Sequence, residues 1–582
     1  MINSIKKIIL SVAALIAATD FLMAQNPLFI PPTLNGTNFN LNIQNGTTQF
    51  YPGINTLTYG INGALLAPTL IINKWDWVTL NVTNSLTGNG NATTIHWHGL
   101  HVPAMDDGGP HQVINQGATW SPYFQMLNSA GTFWYHPHGD NKTDLHVSKG
   151  IAGMIIVKDS AEAVLTLPRD YGVDDFPIIV QTKSFDILNQ IAIATELDTA
   201  LMVNGIVHPY LDAPSQVIRF RLLNGSSSRT YNFGFTANKI FKMIAGDAGL
   251  LDSAITLTRI RLSPGERAEI LLDLQGMMGD TIFLNSYSSE LPNGIYGAAT
   301  VTGMIGGVIP DYDLNPLNGA DFGVLQINIG TQTANPITTT PSVLIANIPW
   351  TGFTVSRTFT LAPDSMMSAQ GQVAGPFGIN GVHFDMNYIN VTTYLNTTEK
   401  WRITNNTGIA HPFHIHDMHF YLLSINGGAV PAYEQGKKDV VLVMPMQYVE
   451  FITRFEDFAD DSVPYMYHCH LLHHEDDGMM GSFRVIDTTN TSIAGFNEND
   501  NWKIYPNPAS TTLIVEIPTS LQALYAYEIY DIEGKWVKAV WRNSFKQEIV
   551  ISDLADGIYF LQPWAYYWKP EPQKFIIQKN KN

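Results

Sequence analysis

Cysteine is all but missing: Cys469 is the only one in 582 residues, so no intramolecular disulfide can form. Charge is sparse too. Asp, Glu, Lys and Arg make up 14% of the chain, and 50 acidic residues outnumber 32 basic ones for a net charge of −18. That balance excludes a basic nucleic-acid surface and gives anionic lipid nothing to hold. Beyond the N-terminus no apolar run is long enough to cross a bilayer, so no transmembrane segment is expected. What replaces long runs is short Val, Ile and aromatic stretches set among 46 Gly, 32 Pro and many Asn and Thr. This mixture predicts an all-β chain of sandwiches, and the length calls for roughly three to five domains.

The N-terminus reads Lys6-Lys7, an apolar run from Ile8 to Ala18, then Leu22-Met23-Ala24 before Gln25. Residues 1–24 are expected to be a secretory signal peptide cleaved after Ala24. The protein is then exported and does without disulfides outside the cell.

The one cysteine stands in His468-Cys469-His470-Leu471-Leu472-His473-His474-Glu475, with Met479 a few residues on. Pro464 to Tyr467 predict a strand entering this stretch, which puts His468 and His470 on one face and Cys469 on the other. A thiolate, His474, a thioether and one further histidine would complete the donor set of a blue copper centre. A buried free cysteine among chance histidines is the ordinary alternative. Three more His-x-His pairs weigh against it: His96/His98, His136/His138 and His414/His416. Each places two imidazoles on one face of an extended strand, and one such pair alone could equally be structural or an adventitious zinc site. Eight imidazoles are thus paired, and His411, Cys469, His474 and Met479 remain as the blue copper set, which assigns ten of the 17 histidines.

These motifs resemble those of the multicopper oxidases, among them bacterial three-domain laccases and copper-efflux oxidases, over roughly residues 26–490. The resemblance implies three cupredoxin-like Greek-key β-sandwich domains at 25–165, 166–344 and 345–487, the middle one without metal. It also implies four copper ions. His411, Cys469, His474 and axial Met479 would hold type 1, and His96 and His414 type 2. His98, His136, His138, His416, His468 and His470 would hold the type 3 pair. A small-molecule reductant would lose electrons singly at type 1, and dioxygen would take four at the trinuclear cluster. Asp107 and Glu475 stand where the family keeps its proton-supplying acids; Asp107, before Gly108-Gly109, could also be only a turn residue.

Residues 488–501 are polar and predict a linker. Beyond it, short strands at 513–517, 527–530, 549–551 and 575–577 predict a small β-sandwich over 502–582. With Tyr505-Pro506-Asn507-Pro508 and Leu554 to Tyr559 it resembles the C-terminal sorting domain of type IX secretion, although Trp564 to Trp568 would also suit a carbohydrate-binding sandwich. The resemblance implies passage through the periplasm of a Gram-negative bacterium to the outside or the cell surface. A monomer is expected. The function expected is that of a laccase-like oxidase of phenols or aromatic amines. The alternatives are a cuprous oxidase in copper detoxification and a non-catalytic cupredoxin-fold binding protein. A cuprous oxidase of this family carries an Asp-x-Met before the His-Pro-Phe-His-Ile-His motif, and here Thr407-Gly408-Ile409-Ala410 has neither.

Overall fold

The computed structural model describes residues 26–88, 91–193, 195–303, 306–488, 502–517, 524–532, 534–542, 544–565 and 572–579. The expected signal peptide and residues 489–501 of the expected linker lie outside the described residues. The chain forms two compact units, one ending at Asp487 and one beginning at Thr488. Strands dominate both, and the longest helix among the described residues, Thr143–Lys149, has 7 residues.

In the first unit, alternation of apolar and polar residues becomes alternation of buried and accessible ones. Along Trp77–Asn84, Val78, Leu80 and Val82 point inward and Trp77 outward. This strand pairs in parallel with Asn38–Thr48. A second sheet sets Gly153–Lys158 between Thr69–Asn73 and Gly131–Tyr135. Phe39, Leu41, Leu70, Val78, Leu80, Val82 and Ile155 belong to the shared core. The strand Gly153–Lys158 starts only after Ile151, whose amide is bonded back to the His146 carbonyl at 3.0 Å.

Further along, Val217–Asn224 is buried at every position. Ile218, Phe220 and Leu222 enter an apolar core, and Arg219 and Arg221 alternate onto the other face. Buried guanidinium groups need anionic partners. Arg221 binds Asp175 and Glu269 at 2.8 Å each, and Arg219 binds Glu162 at 2.9 Å and also Glu269. Glu269 in turn accepts from Thr132 Oγ1 at 2.7 Å, on the strand Gly131–Tyr135 that runs into His136-Pro137-His138. The charge network therefore fastens a histidine-bearing strand to the neighbouring sheet.

Nearer the end of this unit, Phe359, Trp401, Phe413, Phe451 and Tyr467 fill another core. One of its sheets places Met480–Ile486, Asp460–Cys469 and His411–Ile415 side by side. The second unit has a three-stranded sheet through Thr512–Glu516 and a four-stranded sheet through Leu524–Asp531 and Gly557–Ala565, with Leu513, Val515, Ile529, Leu561 and Phe575 in its core.

The Glu269 network generates a pH prediction. Burial opposes the carboxylate, but the charges of Arg219 and Arg221 outweigh it and hold the pKa at about 2, below the ordinary 4.5. A carboxyl depressed in the folded state contributes stability that is complete above its unfolded pKa and is lost as pH falls through the folded one. Stability is thus expected to decline between pH 4.5 and about 2. Glu269→Gln should cost about 3–5 kcal/mol near neutrality, because it strands buried guanidinium charge. Denaturant midpoints across that pH range check both statements. A variant with the wild-type acid profile would show that this carboxylate does not carry the effect.

Candidate metal centre

The four histidine pairs meet as two ladders. The His96 amide donates to the His136 carbonyl at 2.8 Å and the return bond is 3.1 Å, so the first two pairs are backbone partners. In the other ladder His414 faces His468, and Phe413 faces Cys469. Residues two apart on a strand share a face. His414 and His416 therefore share a face, and His411 joins Phe413 and Cys469 on the opposite one. The odd spacing from His411 to His414 sorts the histidines into two sites.

On the Cys469 face, the sulfur lies 3.4 Å from His411 Nδ1 and 3.7 Å from His474 Nδ1. The short helix Leu472–Asp476 folds His474 back, and Met479, fully buried, accepts the Cys469 amide on its carbonyl at 3.1 Å. Phe377 packs on the His411 and His474 rings, with centroids at 4.9 and 4.7 Å. The Leu471 amide donates to Cys469 Sγ at 3.5 Å. Burial pushes the thiol pKa well up and the His411 pKa down to about 3. Without a cation the sulfur would stay protonated; a coordinating metal deprotonates it.

On the other face eight buried imidazoles converge. His98 Nδ1 is 3.3 Å from both His136 Nε2 and His470 Nε2. His468 Nε2 is 3.1 Å from His138 Nε2 and 3.3 Å from His416 Nε2. His96 Nε2 and His414 Nε2 are buried with no hydrogen-bond partner. Most outward nitrogens are occupied; His138 Nδ1 and His470 Nδ1 have no hydrogen-bond partner. His96 Nδ1 donates to the Asp107 carbonyl at 2.9 Å, and His414 Nδ1 to the Asp439 carbonyl at 2.8 Å. His136 and His468 use the Pro137 and Cys469 carbonyls, at 2.8 and 3.0 Å. Such contacts leave the inward nitrogen as a lone-pair donor. Burial holds His98, His136, His138, His414 and His416 far below the ordinary imidazole pKa and His470 at about 3, so these rings are neutral. Neutral nitrogens aimed at one another with no proton to share, beside a buried thiol between two imidazoles, are a donor set suited to copper.

Both expected acids reach this face. Asp107 Oδ2 accepts from His416 Nδ1 at 2.7 Å. Its loop is tight against the His96 strand: Gly108 has φ +80°, and a Cβ there would lie 1.7 Å from the Ile95 carbonyl oxygen. Glu475 stands 3.1 Å from His468 Nδ1 and 3.4 Å from His138 Nδ1. Asp439 was not singled out by the sequence, where it is one acid after Lys437-Lys438. Its carboxylate lies 3.3 Å from His98 Nε2.

The chain is similar to known proteins. A multicopper oxidase, mco, from Staphylococcus haemolyticus is 36% identical over 457 residues, spanning 77% of this chain and 88% of that protein. The chain belongs to the multicopper oxidase family. Residues 42–162 and 355–489 match the family's domains, and residues 503–578 match the secretion system C-terminal sorting domain. Among solved structures, the laccase-like multicopper oxidase CueO of a lignin-degrading Ochrobactrum is similar at TM-score 0.69 and 31% identity, over 79% of this chain and all (100%) of that one. The cell division protein FtsP of Escherichia coli is 30% identical over 470 residues, covering 79% of this chain and 93% of its own. This multicopper oxidase is accordingly an all-β, copper-dependent oxidoreductase carrying a type IX sorting domain.

Copper removal should register as lost stability. A ligand bound only by the folded state stabilises it by about 2.7 kcal/mol at a hundredfold excess over Kd. Chelation is expected to lower the thermal midpoint and copper readdition to restore it, read by calorimetry. An unchanged midpoint would mean that the imidazole cluster is stable without metal.

Proposed function

We propose that the protein is a laccase-like oxidase in which four one-electron oxidations of a phenolic or aromatic-amine reductant drive the reduction of one dioxygen, with four protons, to two waters. Bound copper supplies the redox chemistry, four ions in this reading: type 1 at His411, Cys469, His474 and Met479, type 2 at His96 and His414, and a type 3 pair at the six other histidines. The observation that carries it is the alternation at 468–470. Cys469 faces His411, while its two neighbours in the chain face the histidine cluster. A few covalent bonds therefore connect the site that accepts electrons to the site that uses them.

The remaining residues hold, shield or move protons. Phe377 covers two imidazoles of the first site. Asp107 Oδ1 is buried without a hydrogen-bond partner and can relay a proton beside the cluster, and the Glu475 carboxylate, set against His468 and His138, can accept and pass one there. A cuprous oxidase is the second reading, favoured by the exposed Met366 and Met367 on the segment leading to Phe377. A non-catalytic cupredoxin-fold binding protein would need donors to be missing, and each expected donor is present. Steady-state dioxygen uptake with a phenol, a bilin and cuprous ion separates the readings; preference for cuprous ion would overturn the first.

The same reading takes 25–165, 166–344 and 345–487 as three cupredoxin domains of a monomer. Residues 1–24 direct export to the periplasm, and 502–582, beyond the linker 488–501, carry the protein across the outer membrane for release or attachment. Deleting 502–582 should abolish secretion and leave oxidation intact; a folded but inactive truncation would place the second unit in the catalytic apparatus.

Two substitutions separate the sites. Met479→Leu removes a thioether that would stabilise the oxidised ion, and should raise the potential of the blue band. Asp107→Asn should leave that potential unchanged and slow dioxygen turnover by about 10- to 100-fold. Cys469→Ser should abolish the blue colour with the fold intact. Redox titration beside oxygen-uptake kinetics reads all three. A blue potential that moves with Asp107→Asn, or stays put with Met479→Leu, defeats this division of labour.

A further inference from the structure

One imidazole of the eight is turned the other way. His98 presents Nδ1 inward, whereas His136, His138, His416, His468 and His470 present Nε2, as do the unpartnered His96 and His414. Something must hold the His98 proton on Nε2, and the group at that nitrogen is the Asp439 carboxylate, 3.3 Å away. Through its backbone carbonyl Asp439 also accepts from His414 Nδ1 at 2.8 Å. The two rings so held are stacked, with centroids 3.8 Å apart and planes 7° from parallel.

Asp439 is in turn held by Arg267. Both are fully buried, and the guanidinium meets the carboxylate with two parallel bonds of 2.6 Å. The other three N–H groups of Arg267 are also used, on the carbonyls of Thr132 at 3.2 Å, Gly265 at 3.0 Å and Asp247 at 2.6 Å. With all five donors engaged, the guanidinium cannot swing without breaking several bonds at once. The surrounding backbone is shaped to this pair. Gly99 has φ +82°, and a Cβ there would lie 2.3 Å from Asp439 Oδ2 and 2.7 Å from Arg267 Nη2.

We propose that Arg267 and Asp439 are a positioning pair that fixes the ring orientation and proton placement of His98 and His414, and so makes the central segment part of the oxygen-reducing cluster. This rests on the reading that the eight imidazoles hold copper. Asp439 is not itself a ligand here, because both carboxylate oxygens are taken by Arg267 and one also faces His98. Removing either partner takes from a buried charge its closest counter-ion, and without Arg267 the carboxylate is free to turn away from His98.

The test uses full-length, copper-loaded protein with Asp439→Asn, Arg267→Gln and Arg267→Lys. Non-blue copper, measured by elemental analysis against the blue band during chelator titration, should be lost at about 10- to 100-fold lower chelator concentration in the first two variants. The blue band should persist, since His411, Cys469 and His474 lie on the opposite face. Arg267→Lys should recover part of the affinity, as it keeps the charge without the fork. In copper-free wild-type protein, nitrogen-15 shifts of His98 should report a proton on Nε2. A proton on Nδ1 overturns the proposal whether or not any variant folds. Wild-type copper retention in Asp439→Asn and Arg267→Gln would also overturn it, with the ligand reading left standing. Wild-type protein that loads only the blue copper would instead remove the ligand reading, and the pair with it.

Discussion

Eight imidazoles are buried against one another with their inward nitrogens converging, and the rest of the first unit is arranged around that constraint. A buried polar atom without a partner costs on the order of 1–3 kcal/mol, and here several face one another. Protonation does not relieve the crowding at His98, His136, His138, His414, His416 and His470, because burial holds these six rings neutral. A bound cation can. The outward nitrogens of His96, His136, His414, His416 and His468 are bonded to carbonyls or a carboxylate, so the protein fixes those ring orientations before any metal arrives. Asp107 contributes twice, by its carbonyl to His96 and by its carboxylate to His416.

The period of a β-strand then divides the labour. His414 pairs with His468 on one face of the ladder and Phe413 with Cys469 on the other. The thiol thereby enters an apolar core of Phe359, Phe413, Tyr467 and Phe483, while the flanking imidazoles enter the polar seam. A one-residue slip in this register would exchange the two environments. Phe413 and its neighbours therefore hold the register as well as fill the core.

The central sheets carry no ligand in this reading, yet their buried arginines hold the strands that do. Glu269 receives Arg219, Arg221 and Thr132, and Arg267 bonds the carbonyl of that same Thr132. Buried ion pairs are poor evidence of added stability, since their desolvation cost rivals their attraction. Their value here is geometric: they lock the strand before His136 at a defined place relative to Asp439. The middle segment, expected to be without metal, thus reaches the cluster, and the Gly265 turn lies against the His470 ring.

Sequence alone was enough for whatever depends on neighbours along the chain. Burial along Trp77–Asn84 alternates as its apolar and polar residues do, and each His-x-His pair shares a face, because side-chain direction alternates residue by residue. Where the local signal was weak, boundaries moved: the strand expected at 549–551 is Lys546–Val550, whose first residues are polar. The helix Leu472–Asp476, at 5 residues, is too short to show a period, although it returns His474 to the thiol. Only the tertiary structure decided which nitrogen each histidine turns inward. That choice depends on partners such as Asp439, 341 positions from His98, and Arg267, 172 positions from Asp439. Nothing local marks one buried acid or arginine among many, because its role is set by what the fold places opposite it.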